Sequence, residues 1–213
     1  MRKLSIIFIT LFAVVCSTLA GAQEPINLLE PDLKSGKLLM EALNERKSTR
    51  SFSDKQLTNE IISNLLWAAF GINREDGKRT APSAMDFREI DIYVATQEGV
   101  YVYEPENKVL MPILNEDIRE IVGIQEYTKD APLGLIYVAD YSKMGSQAIE
   151  ENTKEIWASA DAAFISQNVY LFCASEGLAT VVIGMIDKPT LSAKLGLKDE
   201  QNIIFSQPVG YPK

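Results

Sequence analysis

The amino-acid sequence predicts one α+β domain. Three observations carry that class. Strand-like and helix-like segments alternate along the chain without a linker, a repeat or a low-complexity tract. Two stretches space their apolar residues at the 3.6-residue period of a helix. One further segment, Asn152 to Glu176, is apolar or small on nearly every face through its middle, as a helix enclosed by protein must be. With 213 residues, 46% of them hydrophobic, the chain has ample material for a core.

Met1 to Ala22 stands apart from the fold. Arg2 and Lys3 precede an apolar run, Leu4 to Val15, and small residues end at Ala20-Gly21-Ala22. This is the arrangement of a secretory signal cleaved after Ala22. It predicts an exported protein, periplasmic or extracellular, whose domain is residues 23–213. The alternatives are a retained anchor, for which the apolar run is short, and a lipid on Cys16, where Val15 occupies a position that wants a small residue.

Lys34 to Glu45 reads as the first helix, with Leu38, Leu39, Ala42 and Leu43 on one side. The second is capped by Thr58, striped by Ile61, Ile62, Leu65, Leu66 and Ala69, and ended by Gly71. A loop, Ile72 to Met85, turns at Asp76-Gly77. Strands follow at Ile90 to Thr96 and Val100 to Tyr103, joined as a hairpin across Gln97-Glu98-Gly99. A short helix near Glu116 to Val122 precedes a strand at Leu133 to Ala139. The long helix, Asn152 to Glu176, stops at Gly177, and its enclosure predicts either the centre of the fold or a subunit interface. Thr180 to Ile183 is a buried strand, Pro189 to Leu195 a short helix, and Ile203 to Val209 the last strand.

Composition removes much chemistry. There is no histidine, so Ser-His-Asp and Cys-His engines and histidine metal sites are excluded together. Two cysteines, Cys16 and Cys173, cannot build a thiolate metal centre, and loss of the signal leaves Cys173 alone, a buried inert thiol in an apolar run. No metal site is expected. The net charge of −8 becomes −10 once Arg2 and Lys3 are removed, which argues against nucleic acid as a partner.

Against that acidic background, Arg46-Lys47-Ser48-Thr49-Arg50 packs three cations and two hydroxyls into five residues. Arg forks and hydroxyl donors suit phosphate oxygens; the bland reading is a solvated basic helix end. Ala81-Pro82-Ser83-Ala84-Met85 is a small-residue entry to a strand, and Val182-Ile183-Gly184-Met185 leaves a strand through a glycine whose amide could donate. Gly77-Lys78 is not a phosphate loop: the glycine spacing is one residue too long and Arg79 replaces the hydroxyl residue. Glu116, Asp117, Glu120 and Glu126 are most simply a wet helix face, which leaves a carboxylate hydrolase as a remote alternative.

Taken in order, these segments resemble the nitroreductase family of FMN-dependent flavoproteins, from about Leu38 to Lys213. Arg46-Lys47-Ser48-Thr49-Arg50-Ser51-Phe52 looks like the family's opening Arg-x-Ser-x-Arg/Lys-x-Phe signature. Arg79-Thr80-Ala81-Pro82-Ser83-Ala84, the Val100-Tyr101-Val102-Tyr103 hairpin and Pro208-Val209-Gly210-Tyr211-Pro212 look closest to the azoline-dehydrogenase-like branch. The resemblance implies an antiparallel or mixed sheet flanked by helices and an intertwined homodimer with two FMN sites at its interface. Arg46, Lys47, Ser48 and Arg50 would hold the FMN phosphate and ribityl chain, with Lys213 as a further phosphate contact. Pro82, Ser83, Ala84, Met85 and Asp86 would reach the flavin of the partner subunit, and Gln125 the flavin of its own chain. Ile183 and Gly184 would line the ring, Gly184 presenting its amide near N5. Asp86 and Arg88 stand where the family often has Asn and Gln, so both are assigned to a substrate pocket with a different charge pattern.

The resemblance implies an oxidoreductase that transfers hydride through flavin N5 to or from a small-molecule or peptide substrate. An exported enzyme would not meet a cytoplasmic NAD(P)H pool, so its electron donor or acceptor is left open. A flavin- or ligand-binding protein without turnover is the alternative.

Overall fold

A computed structural model of the protein describes residues 23–145 and 149–213; the segment expected to be a signal, Met1 to Ala22, lies outside the described residues. The elements, in chain order, are β1 (Ile26–Asn27), α1 (Leu39–Glu45), α2 (Asn59–Phe70), β2 (Ile90–Ala95), β3 (Val100–Glu104), β4 (Val109–Leu114), β5 (Leu133–Asp140), α3 (Glu151–Glu176), β6 (Ala179–Thr180), α4 (Lys188–Leu195) and β7 (Gln201–Gly210). The strands make one sheet in the order β1-β4-β3-β2-β5-β7-β6. Every pairing is antiparallel, which decides between the two arrangements expected.

Period-2 alternation divides the core. Ile92, Val94, Leu135 and Tyr137 face α2 and α3, whose Leu65, Leu66, Ile165 and Val169 pack against them. Tyr93, Ala95, Ile136 and Val138 face the other way, where Leu191 and Leu195 of α4 meet Ile118 and Val122. The sheet is therefore the middle of three layers. Leu135 has no exposed surface, so Leu135→Ala should cost about 2–5 kcal/mol, read as a lowered midpoint in urea unfolding.

Local signals held where the partner is nearby in sequence. The Thr58 hydroxyl accepts from the Ile61 amide at 3.3 Å. Gly177 ends α3 in the left-handed conformation, φ 69°, which a residue with a Cβ adopts at a cost.

Several expectations are corrected. The first helix begins at Leu39, because Gly36 turns at φ +87° and Leu38 is extended. Its apolar stripe is not buried: only Ala42 is, while Leu38, Leu39, Met40 and Leu43 stand exposed. The helix expected near Glu116 to Val122 is a single 3-10 turn, Arg119–Ile121, fastened by Asp117 accepting from the Arg119 amide and guanidinium. β4 was unforeseen, since Pro112 interrupts its strand pattern; it pairs opposite Tyr101, beside a register shift in β3 where a missing donor is tolerated. The strand expected at Thr180 to Ile183 shrinks to β6 and an isolated bridge between Ile183 and Ser206, because the Val182 amide donates to the Tyr170 hydroxyl instead of to a strand.

The long helix is also only half enclosed. Ala158, Asp161, Ala162, Ile165, Ser166, Val169 and Cys173 are buried, whereas Ile156 and Phe164 are exposed. Cys173 is buried, and its burial pushes the thiol far above its ordinary range, which suits an inert residue.

Candidate active site

Where α1 ends, Arg46 is extended (φ −56°, ψ 120°) and the chain runs as a strap across α3. Tyr170 of α3 organises it. The Arg46 guanidinium lies 5.3 Å from the centroid of the Tyr170 ring, a cation-π distance. The Ser48 hydroxyl is 2.8 Å from the Tyr170 hydroxyl, which also accepts the Val182 amide at 2.9 Å. The Thr49 amide donates to the Thr180 carbonyl at 2.9 Å. One phenol thus ties the basic strap to the segment leading into Ile183 and Gly184. Lys47, Ser48 and Arg50 are exposed and Arg46 is half-buried. Arg46, Lys47 and Arg50 have no acidic partner among the described residues.

Gln125 joins the same region. The Ile124 amide donates to the Met185 carbonyl at 3.2 Å. A Cβ built on Gly123 would lie 2.9 Å from Gln125 Oε1 and 3.1 Å from the Ile183 side chain, so the three residues are in close company. Gln125 Oε1 is buried with no hydrogen-bond partner among the described residues. The exposed Gly184 amide donates to no described residue. Lys213 is elsewhere: it lines a 510 Å³ hollow with Phe52, Arg119 and Lys129 that Arg46 and Ser48 do not border.

The loop from Pro82 to Arg88 forms a second centre. Met85, Asp86 and Arg88 all take positive φ, at 53°, 58° and 52°; each is a strained state for a residue with a side chain, worth on the order of 1–3 kcal/mol. The loop is clamped at both ends. The Ala84 amide donates to Asp161 Oδ2 at 2.8 Å. The Ser83 hydroxyl donates to Glu89 Oε2 at 3.2 Å and accepts the Arg88 amide at 2.8 Å. Arg88 grips Asp86 through two bonds of 2.9 and 2.7 Å, and that contact holds the Asp86 carboxyl below its ordinary range. The expected charge pattern over the ligand is therefore a closed ion pair. With Arg74, Lys78, Arg79, Pro82 and Ser83, these two residues line a 220 Å³ hollow.

Tyr170, Asp161 and Glu89 are site residues that sequence reasoning missed. Asp161 had a signal, being the one charged residue between Ala158 and Ala174. Tyr170 had a weaker one, a hydroxyl in an otherwise apolar run.

The two centres hang from one helix on opposite sides. Asp161 holds the Pro82–Arg88 loop and Tyr170 holds the basic strap. Nine residues of α-helix separate them by about 14 Å along the axis and about half a turn around it.

The Nitroreductase family model matches residues 43–211. A nitroreductase of Methanocaldococcus jannaschii is 30% identical over 190 residues, which cover 84% of this chain and 93% of that one. Among solved structures, a nitroreductase from Ralstonia eutropha superposes with a TM-score of 0.85 at 38% identity, covering 90% of each chain. The NADPH:FMN oxidoreductase of Vibrio harveyi, solved with NAD+, shares the fold at a TM-score of 0.63 and 21% identity, over 82% of this chain and 68% of that one.

Proposed function

This chain belongs to the nitroreductase family, and from that membership together with the signal-like Met1 to Ala22 segment we propose an exported, periplasmic or extracellular, FMN-dependent oxidoreductase that works as a homodimer. It transfers hydride to or from a small-molecule or peptide substrate. The observation that carries the reading is the split site on α3. The strap at Tyr170 and the loop at Asp161 point away from one another, so a second copy is needed for both to meet one flavin. The exposed apolar side chains of α1, together with Ile156 and Phe164 of α3, supply surface for that copy.

The residues present fit the cofactor. Arg46, Lys47 and Arg50 are cations with no acidic partner among the described residues of an acidic chain, suited to a phosphate. Gln125 offers a buried, unsatisfied acceptor and Gly184 a free donor, the complement that a polar ring edge requires. Ile183 sits behind Gly184 as an apolar wall. Bound FMN supplies reversible hydride transfer, and the protein supplies position and electrostatics. The closed Asp86–Arg88 pair keeps a fixed dipole beside Pro82 and Ser83, a surface for orienting a polar substrate. The run from Arg79 to Ala84 supports placement toward the azoline-dehydrogenase-like branch. No helix among the described residues is long and apolar enough to cross a membrane.

Purification of residues 23–213 with FMN is expected to yield a yellow dimer, and anaerobic mixing should show slow reduction by NADH and NADPH compared with a physiological donor or peptide. A colourless protein that takes up no flavin on reconstitution would overturn the proposal. Tight flavin with no reduction or reoxidation by any partner would leave a binding protein. Rapid turnover on nicotinamide alone would refute the inference drawn from export.

A further inference from the structure

Glu89 is the first residue after the strained loop and has no exposed surface, and Asp161, opposite it, is 3% exposed. Their carboxyl groups converge on adjacent residues of the loop, Ser83 and Ala84, and are close enough to act on each other. Each holds one part of the loop, Glu89 through Ser83 and Asp161 through the Ala84 amide. Glu89 Oε1 has no donor among the described residues. Two carboxylates buried together cannot both carry charge cheaply, and the ordinary resolution is one shared proton. A proton on Glu89 Oε1 satisfies that oxygen and gives Asp161 a second donor.

We propose that the Glu89–Asp161 pair is a proton-held clasp on the Ser83–Arg88 loop, closed while the pair keeps its proton and released when the proton leaves. The flavin consequence rests on the reading above, in which this loop faces a flavin. In the closed state Ser83 and Ala84 are fixed and the three left-handed residues are held in place. Loss of the proton sets two negative charges side by side in a buried setting, and the loop is the part able to move.

The surroundings favour such a switch at neutral pH. Burial, then repulsion from Asp161, raises Glu89 to about 7, with Ser83 acting in the opposite sense. The Tyr141 hydroxyl beyond β5 also feels Glu89, together with Glu151 and Glu155 of α3. Nearby cations are engaged elsewhere: Arg88 with Asp86, Lys143 with Asp91 at 2.5 Å, and Lys154 with Glu151 and the Tyr141 ring.

Two readouts test the clasp on the full domain. Hydrogen exchange of the Ala84 and Arg88 amides, corrected for intrinsic rates, should lose at least tenfold in protection between pH 6 and pH 8 in the unmodified protein. Glu89→Gln keeps the shape, donates permanently to Asp161, and should hold protection level over the same range. FMN affinity by fluorescence titration should fall by at least tenfold more in the unmodified protein than in Glu89→Gln; the comparison cancels titration of the FMN phosphate itself. Protection that stays level in the unmodified protein, or falls equally in the Gln variant, overturns the clasp. Protection that falls while flavin affinity does not would leave the clasp and overturn its tie to the flavin. No flavin binding at any pH would defeat the functional reading alone, since the exchange result does not depend on it.

Discussion

Replacing Arg46 and Arg50 together with alanine is expected to weaken FMN binding by about 10² to 10⁴-fold, because a hydrogen bond to a charged group contributes about 1.5–3 kcal/mol and two are removed. Neither guanidinium has an acidic partner among the described residues to leave behind. The loss should therefore fall on ligand and not on the fold. Arg50 is exposed, and the Arg46 contact to the Tyr170 ring contributes about 0.5–1 kcal/mol at a partly exposed site. Fluorescence titration with FMN reads the first effect, and urea unfolding of the flavin-free protein reads the second. Unchanged affinity, or a fall in stability large enough to account for the whole loss, would remove the strap from the phosphate site.

Folding stability should also decline as pH rises from about 4.5 to 7, and Glu89 is the reason. Its carboxyl is held at about 7 in the fold and returns to an ordinary value near 4.3 when unfolded. Between those values the folded chain binds the extra proton, so the slope of stability against pH is negative there. The penalty is complete above pH 7 and amounts to about 4 kcal/mol. Asp91 is also raised by burial, though Lys143 opposes it, and it acts in the same direction. Asp76, Asp86 and Asp117 are lowered, chiefly by side-chain hydrogen bonds to Lys78, Arg88 and Arg119; their contribution is lost as pH falls below the ordinary carboxylate range, outside the Glu89 window. Urea midpoints should accordingly peak near pH 5 and be lower at pH 8, and Glu89→Gln should flatten the decline. A midpoint that rises from pH 5 to pH 8 would contradict the assignment.

What could be read from the sequence was what neighbours in sequence decide. Thr58, Gly71 and Gly177 punctuate helices through bonds within a turn of themselves, and the β2–β3 hairpin closes across four residues. Arg46 to Arg50 stood out because charge density is a local property. β4 was illegible because Pro112 breaks the only local sign of a strand, and its place is decided by β3 and β1. The apolar stripe of α1 was legible as a stripe, but not the side of the chain it would meet. In the sequence Glu89 is one of 29 acidic residues, at the entry to a strand. Its role depends on Asp161, seventy-two positions later, and a pair at that separation leaves no periodic trace.

The nine-residue offset on α3 between Asp161 and Tyr170 has a genetic side. If each flavin draws its strap from one copy and its loop from the other, a lesion in either segment is expressed partly at the neighbour's site. Two alleles damaged in different segments then leave one whole site in a mixed dimer, whereas two alleles damaged in the same segment leave none. Inheritance at this locus would thus follow the segment struck more than the severity of the substitution.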